Sequence, residues 1–367
     1  MKTTDLLVVG GGPAGLATAL GARRHGLKVT VADPARPPID KACGEGLMPD
    51  ALAALRELGV DLPFNAGAPF RGIRFLGYGS QVEAQFPDGT GLGIRRTRLH
   101  EILVRSAEDA GVEFLWGRQV IGIEQDRAWA GGERIAFANL AGADGGNSQV
   151  RRWAGLDERS REGMRFGFRR HYRIRPWSDS VEVHWAPGGQ IYVTPIAQDC
   201  VCIALLVSRQ NLRLDEALRL FPAVEKRLNG AAAIAPDRGG TSAFRRLRRV
   251  VSGNIALVGD ASGSVDAVTG EGMSLAFRQA AALTEAIACG RLEQYQQAHE
   301  RIRQGPDRMT SLLLMMDRSD ALCHRSLKAL ACKPHIFSSM LAAHVGECSP
   351  AALAVALCSL SWSFLTA

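Results

Sequence analysis

The sequence predicts an α/β fold in which a domain of parallel strands and helices is interrupted by an antiparallel sheet and followed by a helical C-terminal region. Three observations support this prediction. Residues 5–33 read as strand, glycine-rich turn, helix and strand, residues 166–206 contain four closely spaced β-rich segments, and residues 309–330 have the apolar spacing of a buried helix. With 367 residues the chain is long enough for two structural domains.

The first element is a buried strand, residues 5–9, that leads into a glycine-rich turn. In the pattern GxGxxG, Gly10 permits the tight turn, Gly12 lets a pyrophosphate approach the backbone, and Gly15 lets the following helix pack against the strand. The second strand ends on Asp33, at the spacing at which a carboxylate binds a ribose hydroxyl. This Rossmann-like unit predicts binding of an adenine dinucleotide, either FAD or NAD, with its phosphates at the helix N-terminus.

A loop and a helix follow the second strand. Glycines flank Glu45 directly after Cys43, a pattern that fits either a loop whose backbone approaches a ligand or a long turn. The helix at residues 50–58 is predicted to be capped by Asp50. Alternating apolar and polar residues between 70 and 93 predict inserted antiparallel strands, ahead of an amphipathic helix.

Later strands alternate between the two predicted sheets. One strand ends on Asp144 and Gly145, and another ends on Gly259 and Asp260. Between these two strands, residues 166–206 predict one antiparallel sheet that can serve as a platform for a substrate.

The helix predicted at residues 212–228 is expected to be split at Pro222, whose ring cannot sit inside an unbroken helix. We predict that the dinucleotide domain is assembled from discontinuous segments, with the second domain inserted between them. The dinucleotide domain comprises residues 1–75, 94–160 and 250–290, the β-sheet domain that binds substrate comprises residues 76–93 and 161–249, and the C-terminal helical region comprises residues 291–367.

The net charge of +7 is carried mostly by arginine, in clusters such as residues 95–98 and 245–249. These clusters fit an anionic nucleotide or substrate, an acidic membrane surface, or a solvated basic face. No nucleic-acid-binding module accompanies the charge, so we expect no nucleic-acid partner. The eight cysteines form neither a CxxC pair nor a Cys/His pattern, which predicts reduced thiols, a cytoplasmic location and no metal site. The first strand begins so early that no signal peptide is expected.

The three glycine-containing turns, in this order, resemble those of the FAD-dependent oxidoreductases with the p-hydroxybenzoate hydroxylase type of fold. That group includes aromatic hydroxylases, geranylgeranyl reductases and flavin-dependent halogenases. The resemblance covers residues 1–290 and implies a glutathione-reductase-type FAD domain, with the ADP half at the first turn and the flavin at the last. The residues that it implies bind FAD are Gly10, Gly12, Pro13, Ala14, Gly15, Asp33, Arg96, Asp144, Gly145, Gly259, Asp260, Gly270, Glu271, Gly272 and Met273.

Differences between this sequence and the family motifs distinguish hydroxylases, reductases and halogenases as the group that it resembles most. Ala267 stands where hydroxylases usually carry a proline, whereas residues 43–46 and 269–272 look more like the reductases. The halogenase motif Trp-x-Trp-x-Ile-Pro is absent from the comparable strand, residues 189–196. Cys43 is the candidate catalytic residue, although a small residue packed near the flavin also fits. The candidate substrate-pocket residues are Gly44, Glu45, His171, His184 and Tyr192, with an ordinary strand position as the alternative for both histidines.

The function expected first is that of an FAD-dependent monooxygenase acting on a small hydrophobic aromatic, phenolic or polyketide-like substrate, with O2 and with NAD(P)H as a transient electron donor. The alternative is an FAD-dependent reductase that passes hydride to an activated or prenyl double bond, while Cys43 or a nearby acid protonates the other carbon. A third hypothesis is a flavoprotein that modifies or matures a partner protein. The uncharged segment at residues 350–365 is expected to pack as a helix, with peripheral membrane contact as the alternative.

Overall fold

The computed structural model describes residues 2–157, 162–208, 212, 214–234 and 236–346. These residues form nineteen strands and ten α-helices. The strands are β1 (Lys2–Val9), β2 (Val29–Asp33), β3 (Gly46–Leu47), β4 (Ala68–Phe70), β5 (Gly72–Gly77), β6 (Ser80–Gln85), β7 (Gly91–Gly93), β8 (Glu113–Trp116), β9 (Val120–Glu124), β10 (Arg127–Ala130), β11 (Glu133–Gly142), β12 (Glu162–Arg173), β13 (Val181–Ala186), β14 (Gly189–Ala197), β15 (Cys200–Val207), β16 (Ala232–Ala233), β17 (Arg238–Phe244), β18 (Val251–Ser252) and β19 (Ile255–Leu257). The helices are α1 (Pro13–Arg24), α2 (Pro49–Glu57), α3 (Arg96–Asp109), α4 (Gln149–Trp153), α5 (Leu214–Leu218), α6 (Pro222–Leu228), α7 (Gly272–Ala288), α8 (Gln294–Met316), α9 (Asp320–Cys332) and α10 (Pro334–His344).

The first sheet has the strand order β18-β19-β11-β1-β2-β8, and the β9–β10 hairpin adds to β11. β1 is parallel to β2 and β11, β11 is parallel to β19, and β2 is parallel to β8. Leu6, Leu7 and Val8 are successive residues of β1 and are all 0% exposed. Because neighbouring residues of a strand point to opposite faces, both faces of this sheet are covered. The predicted α/β fold with a Rossmann-like domain is confirmed.

The register of the first sheet brings the carboxyl ends of its parallel strands to one edge. Val9 of β1 pairs with Ala32 of β2 and with Gly142 of β11, and Gly142 pairs with Leu257 of β19. The three glycine-containing turns that follow β1, β11 and β19 therefore begin side by side. In open α/β sheets this edge is where ligands bind.

The second sheet has the strand order β16-β12-β15-β14-β13-β5-β6, and β17 also pairs with β12. Its strand pairs are antiparallel apart from β13 and β5, which are parallel. The antiparallel sheet predicted between residues 166 and 206 is thus present, and β5 and β6 extend it. The predicted domain boundary at residue 76 falls inside β5. A third, small sheet is formed by β3, β7 and β4.

Different helices cover the two faces of the second sheet. On one face, Ile191 and Ile203 belong to an apolar cluster with residues of α5 and α6. On the other face, Phe75 and Trp185 pack with residues of α8, α9 and α10. The C-terminal helices therefore form part of the second domain's core. The predicted split at Pro222 is confirmed, since α6 begins at that residue.

The N-terminus of α2 differs from the sequence prediction. The helix begins at Pro49 after Met48, so Asp50 lies in the first turn and is not the capping residue. Proline is favoured at the first helical position, because the N–H that it lacks would have no partner within the helix. The Asp50 carboxylate instead accepts a hydrogen bond from Ser274 of α7.

The predicted buried helix at residues 309–330 is divided between α8, which ends at Met316, and α9, which begins at Asp320 and is capped by Ser319. α8 contains the apolar stretch at residues 312–316 and buries Leu313 and Met316. The segment at residues 350–365, with its alternatives of packed helix and membrane contact, lies outside the described residues. Among the described helices, none is long and apolar enough to cross a membrane.

Replacement of Gly15 by Ala should destabilise the fold. A Cβ at this position would collide with the Gly10 carbonyl oxygen, a backbone atom that cannot move without distorting the turn. We expect the free energy of unfolding, measured by urea denaturation, to fall by about 2 kcal/mol or more. Gly122→Ala is the control, because a Cβ there would meet no described atom within 4 Å. Equal unfolding midpoints for the two variants would contradict the prediction.

Candidate functional site

The three glycine-containing turns touch one another at the edge of the first sheet. Gly10 has φ +111° and packs so closely on the Ala143 carbonyl that a Cβ there would collide with backbone. Gly259 has φ +62°, and a Cβ on it would lie 2.7 Å from the Ala14 Cβ. Glycine adopts such positive φ values without steric cost. Three segments far apart in sequence therefore form one continuous surface.

The N-terminus of α1 is open at this surface. Gly12 precedes the helix in an extended conformation, and no side chain of the described residues caps it. A Cβ on Gly12 would meet no described atom within 4 Å. Pro13 occupies the first helical position. The N–H groups of the first turn and the positive end of the helix dipole are thus accessible to phosphate oxygens.

Asp33, at the end of β2, stabilises the first turn through hydrogen bonds. One of its carboxylate oxygens accepts a hydrogen bond from the Gly11 N–H, and the other accepts one from the Ala35 N–H, each at 2.7 Å. Each oxygen keeps a second lone pair. The half-buried carboxylate can therefore hold the turn and still accept a hydrogen bond from a ribose hydroxyl.

His100 also holds this turn, although the sequence reasoning missed it. Its Nε2 donates to the Gly11 carbonyl at 2.8 Å, since a carbonyl oxygen can only accept. Burial is the main reason that the pKa of His100 is lowered, so the ring stays neutral. The signal available in the sequence was a histidine one helical turn after Arg96, on the buried face of α3.

Arg96 Nε and Asp144 Oδ1, near the predicted cofactor turns, are among the buried polar atoms that lack a partner within the described residues, as is Glu271 Oε2. The second oxygen of Asp144 accepts from the backbone N–H groups of Gln149 and Val150, at 2.7 and 3.1 Å. Unpaired buried polar atoms are costly, so a polar ligand is expected to satisfy them. Gly145 follows with φ +79°. Together with the open helix N-terminus, these residues fit the phosphates and sugars of FAD.

The third glycine-containing turn, residues 258–271 between β19 and α7, presents polar and glycine residues at the same edge of the sheet. Asp260 forms an ion pair with Lys41, whose Nζ lies 3.1 Å from the carboxylate. Gly270 has φ +70° and is exposed. Gly272 begins α7, whose N-terminus is not capped by any side chain in the described part of the chain, and the half-buried Met273 follows. A second helix N-terminus is therefore open beside the cofactor motifs.

Glu271 differs from the prediction that it contacts the cofactor, because it is only 1% exposed. Its Oε1 lies 3.6 Å from Nδ1 of His344 in α10, and Nε2 of His344 donates to the Thr269 carbonyl at 3.1 Å. Burial, followed by the charge of Asp50, raises the pKa of Glu271 well above its ordinary value. The carboxyl therefore contacts this turn from the protein interior, where burial disfavours its charge.

The loop at residues 43–46 contacts both the cofactor domain and the second sheet. Glu45 has φ +61°, a left-handed conformation that is uncommon for residues with a Cβ. Its Oε1 accepts from Arg169 Nη1 at 2.8 Å and from the backbone N–H of Arg96, the first of α3, at 2.9 Å. Its Oε2 lies 2.6 Å from Nε2 of His171.

A buried charge network surrounds this carboxylate. Arg169 donates to both oxygens of Asp40, at 2.9 and 3.1 Å, and Arg238 donates to Asp40 at 2.9 Å. Burial raises the pKa of Asp40, but hydrogen bonds from Arg238 and Arg169 outweigh it and hold that pKa below its ordinary value. Glu45 and His171 are 1% and 3% exposed, so they do not line an open substrate pocket as the sequence predicts. Pairing with Arg169 is the reason that they can be buried.

Glu45, His171 and Cys202 have the donor types of a metal site, and their ligand atoms lie within 4.8 Å of one another. The Arg169 guanidinium, however, lies 2.8 Å from the Glu45 oxygen and 3.1 Å from the His171 nitrogen. A metal cation between these atoms would face the guanidinium charge at close range, which is unfavourable. We therefore interpret the group as a network of charges and thiols.

Cys43 and Gly44 lie on the outer side of the same loop and keep partial exposure. The Cys43 Sγ accepts a hydrogen bond from the Glu45 N–H at 3.3 Å. A Cβ on Gly44 would meet no described atom within 4 Å. These two residues are therefore accessible to a ligand, unlike Glu45 beneath them.

Tyr192 and His184 lie on opposite faces of the second sheet. The Tyr192 hydroxyl donates to the Val268 carbonyl at 2.9 Å, in the short turn before α7. His184 is paired with Ile191, which packs in the cluster of α5 and α6, and its ring bonds Glu182 at 3.0 Å. The structure thus brings Tyr192 to the third cofactor turn and separates His184 from it.

Replacement of Gly12 by Val should remove FAD without unfolding the protein. The added side chain has free space in the protein but would occupy the phosphate position in front of α1. We expect the purified variant to contain less than about a tenth of the wild-type FAD, because loss of the phosphate contacts exceeds 1.4 kcal/mol. FAD is measured by absorbance after denaturation. Full occupancy in the variant would contradict the assignment of this turn.

Replacement of Glu271 by Gln should make stability less dependent on pH. The raised pKa means that the folded protein ionises this carboxyl at higher pH than the unfolded chain does. Wild-type stability should therefore decrease as pH rises above about 4.5, the ordinary range of the carboxyl. In urea titrations, the free energy of unfolding of the variant relative to that of wild type should increase from acidic to alkaline pH. The exposed Glu57→Gln is the control, and a pH-independent difference for Glu271→Gln would count against the prediction.

Comparisons with known proteins bear on this site. A family model described as FAD binding domain matches residues 3–188. The menaquinone reductase of Mycobacterium tuberculosis is 30% identical over 298 residues, which cover 74% of this chain and 73% of that protein. YetM of Bacillus subtilis, which carries the name of an FAD-dependent monooxygenase, is 27% identical, with 77% of this chain and 84% of YetM covered. The digeranylgeranylglycerophospholipid reductase of Thermoplasma volcanium is 26% identical, with 76% of each chain covered.

Solved structures agree on the fold. The flavin-dependent brominase Bmp2 superposes with a TM-score of 0.83 at 18% identity, with 100% of both chains covered. A geranylgeranyl bacteriochlorophyll reductase-like protein from Thermoplasma acidophilum gives a TM-score of 0.76 at 22% identity, with 100% of this chain and 98% of that chain covered. From the family match and the 30% identical relative, the chain belongs to the FAD binding domain family and is an FAD-dependent oxidoreductase.

Proposed function

We propose that this oxidoreductase reduces a carbon–carbon double bond in a hydrophobic molecule that carries an isoprenoid chain. The observation that carries this proposal is an accessible thiol on a loop between the cofactor turns and the second sheet. Lys41, just before the loop, pairs with Asp260 of the third cofactor turn, and Glu45 within it bonds Arg169 of β12. Cys43 lies between these two anchors.

Such a reduction needs one hydride and one proton, delivered to the two carbons of the double bond. Reduced FAD supplies the hydride when it is bound. The open N-termini of α1 and α7 and the unpaired Arg96 Nε and Asp144 Oδ1 would hold the cofactor. The Cys43 thiol would donate the proton from the adjacent loop. Tyr192 would keep the third turn against the second sheet through its bond to Val268.

The curated relatives support a reductase of this type. Two of them are named for menaquinone and for digeranylgeranylglycerophospholipid, and both molecules carry isoprenoid chains. NADH or NADPH is the proposed source of electrons for FAD, binding transiently.

A monooxygenase that hydroxylates a phenolic or polyketide-like substrate is the second candidate. It is favoured by the resemblance to YetM, at 27% identity over 312 residues. Oxygen would then be a substrate, whereas for the reductase it is a competing oxidant. The hypothesis of a flavoprotein that matures a partner protein stays a prediction, as do peripheral membrane contact and the cytoplasmic location.

The two reactions differ in their need for oxygen. The FAD-loaded protein is reduced anaerobically with dithionite and mixed with menaquinone, digeranylgeranylglycerophospholipid or a long-chain phenol. We expect the flavin to be reoxidised without oxygen and an isoprenoid product to gain a pair of hydrogens by mass spectrometry. Reoxidation that requires oxygen, together with gain of an oxygen atom by the phenol, would support the monooxygenase and contradict the reductase.

Replacement of Cys43 by Ala tests the proton donor in the same assay. We expect the rate of lipid-dependent flavin reoxidation to fall about 10²-fold, the lower range for loss of a general acid. FAD content should stay at the wild-type level. Cys332→Ala, at an exposed cysteine of α9, is the matched control and should retain the full rate. An unchanged rate for Cys43→Ala would remove Cys43 from the mechanism.

A further inference from the structure

Residues 266–269, near the end of the third glycine-containing turn, are each bonded by a side chain from a different element of the fold. The pairs are Asp266 with Arg165 of β12, Ala267 with Ser242 of β17, Val268 with Tyr192 of β14, and Thr269 with His344 of α10. Three of these side chains belong to strands of the second sheet. The position of this segment is therefore set by the second domain, although the turn itself lies at the edge of the first sheet.

Asp266 shapes the segment locally. It precedes a short 3₁₀ turn at residues 267–269, and its Oδ1 accepts a hydrogen bond from the Val268 N–H at 2.9 Å. Gly270 ends that turn in the left-handed conformation, and α7 begins at Gly272. A capping carboxylate fixes the direction of the first residues of the turn that it caps. Asp266 therefore determines how Gly270 and the N-terminus of α7 are presented at the cofactor edge.

Arg165 connects Asp266 to two further elements. Its Nη1 donates to Asp266 Oδ1 at 3.3 Å, and its Nη2 donates to Gln190 Oε1 and to Asp317 Oδ2, each at 2.7 Å. Gln190 belongs to β14, and Asp317 directly follows α8. Arg165 is 4% exposed and Asp266 is 2% exposed. One buried side chain thus joins the third glycine-containing turn, the second sheet and the end of α8.

The charge of this guanidinium makes the connection directional. Hydrogen bonds between a guanidinium and a carboxylate are strong and require a defined geometry. Removal of Arg165 would leave the Asp266 and Asp317 carboxylates buried without this partner, which is unfavourable. Asp266 would keep its local bond to the Val268 N–H but lose its anchor on β12. The 3₁₀ turn could then shift as a unit, together with Gly270.

We propose that Arg165 is a positioning residue for the flavin half of FAD. It acts through Asp266 on the third glycine-containing turn, where the family resemblance places the flavin. The ADP half is assigned to the first turn, which is held instead by Asp33 and His100. The proposal rests on the assignment of FAD to the three turns, and it is the same whether the enzyme reduces or hydroxylates its substrate.

The test compares FAD with ADP on the same protein. Full-length protein freed of FAD is titrated by calorimetry with FAD and, separately, with ADP, for wild type and for Arg165→Met. Met has a long, unbranched side chain but neither the charge nor the donors of Arg. We expect affinity for FAD to fall roughly tenfold, the scale on which contact networks couple distant groups, and affinity for ADP to stay within about twofold. The visible absorption spectrum of the bound flavin should also change.

Arg74→Met is the matched control. Arg74 of β5 also lies between two carboxylates of the second sheet, since it donates to Glu83 at 2.6 and 2.9 Å and to Glu182 at 3.3 Å. These partners belong to β6 and β13 and not to a glycine-containing turn. We expect Arg74→Met to lower the free energy of unfolding in urea but to leave both affinities and the flavin spectrum unchanged.

Two further variants examine the pair of Arg165 and Asp266. Arg165→Lys keeps the positive charge and should restore part of the FAD affinity that Arg165→Met loses. Asp266→Asn keeps an acceptor for the Val268 N–H but removes the charge that pairs with Arg165. It should weaken FAD binding and leave ADP binding unchanged, which tests the proposal should Arg165→Met fail to fold.

Equal FAD affinities for wild type and Arg165→Met would overturn the proposal. So would a parallel loss of FAD and ADP affinity, because the defect would then extend to the first turn. A loss of FAD affinity in Arg74→Met as large as that in Arg165→Met would also count against it. Wild type that binds neither FAD nor ADP would contradict the cofactor assignment on which the proposal rests.

Discussion

In-register pairing of three parallel strands is the constraint on which the cofactor site depends. Val9, Ala32 and Gly142 lie abreast at the ends of β1, β2 and β11, and β19 continues the row. Since the side chains of these strands are buried on both faces, a shift of register would expose apolar residues and break several hydrogen bonds at once. The closeness of Gly10 to Ala143 and of Gly259 to Ala14 follows from this register. The cofactor surface is thus as rigid as the sheet core.

The second domain is attached to this surface through polar contacts made by loops. Tyr192 bonds Val268, and Arg165 of β12 bonds both Asp266 in the third turn and Asp317 after α8. His344 of α10 reaches Thr269 in the same turn. Buried polar contacts of this type are directional, and each requires a specific partner. The third glycine-containing turn is therefore held between the second sheet and the C-terminal helices.

The network around Glu45 and Arg169 is a costly way to attach a loop. Burying ionised groups carries a desolvation penalty that pairing only partly offsets, and apolar packing would often be as stable. The network nonetheless satisfies both oxygens of Glu45, which accept from Arg169, His171 and the Arg96 N–H, and Arg169 also donates to Asp40. The same geometry disfavours a metal ion, although the donor atoms alone would suit one.

Local sequence determined the strand–turn–helix units, their glycines and the acid at the end of β2, because tight turns and uncapped helix starts depend on residue type at fixed spacing. It also determined the split at Pro222 and, through the resemblance of three separate motifs, the cofactor. Sequence could not decide the faces of the second sheet: Tyr192 and His184 look alike as strand residues, yet pairing of β13 with β14 sends them to opposite sides. Nor could it show that Glu45 meets Arg169 and His171, or that Glu271 is buried against His344. Those contacts join segments more than 70 residues apart, and only the tertiary packing of the two domains brings such charges together.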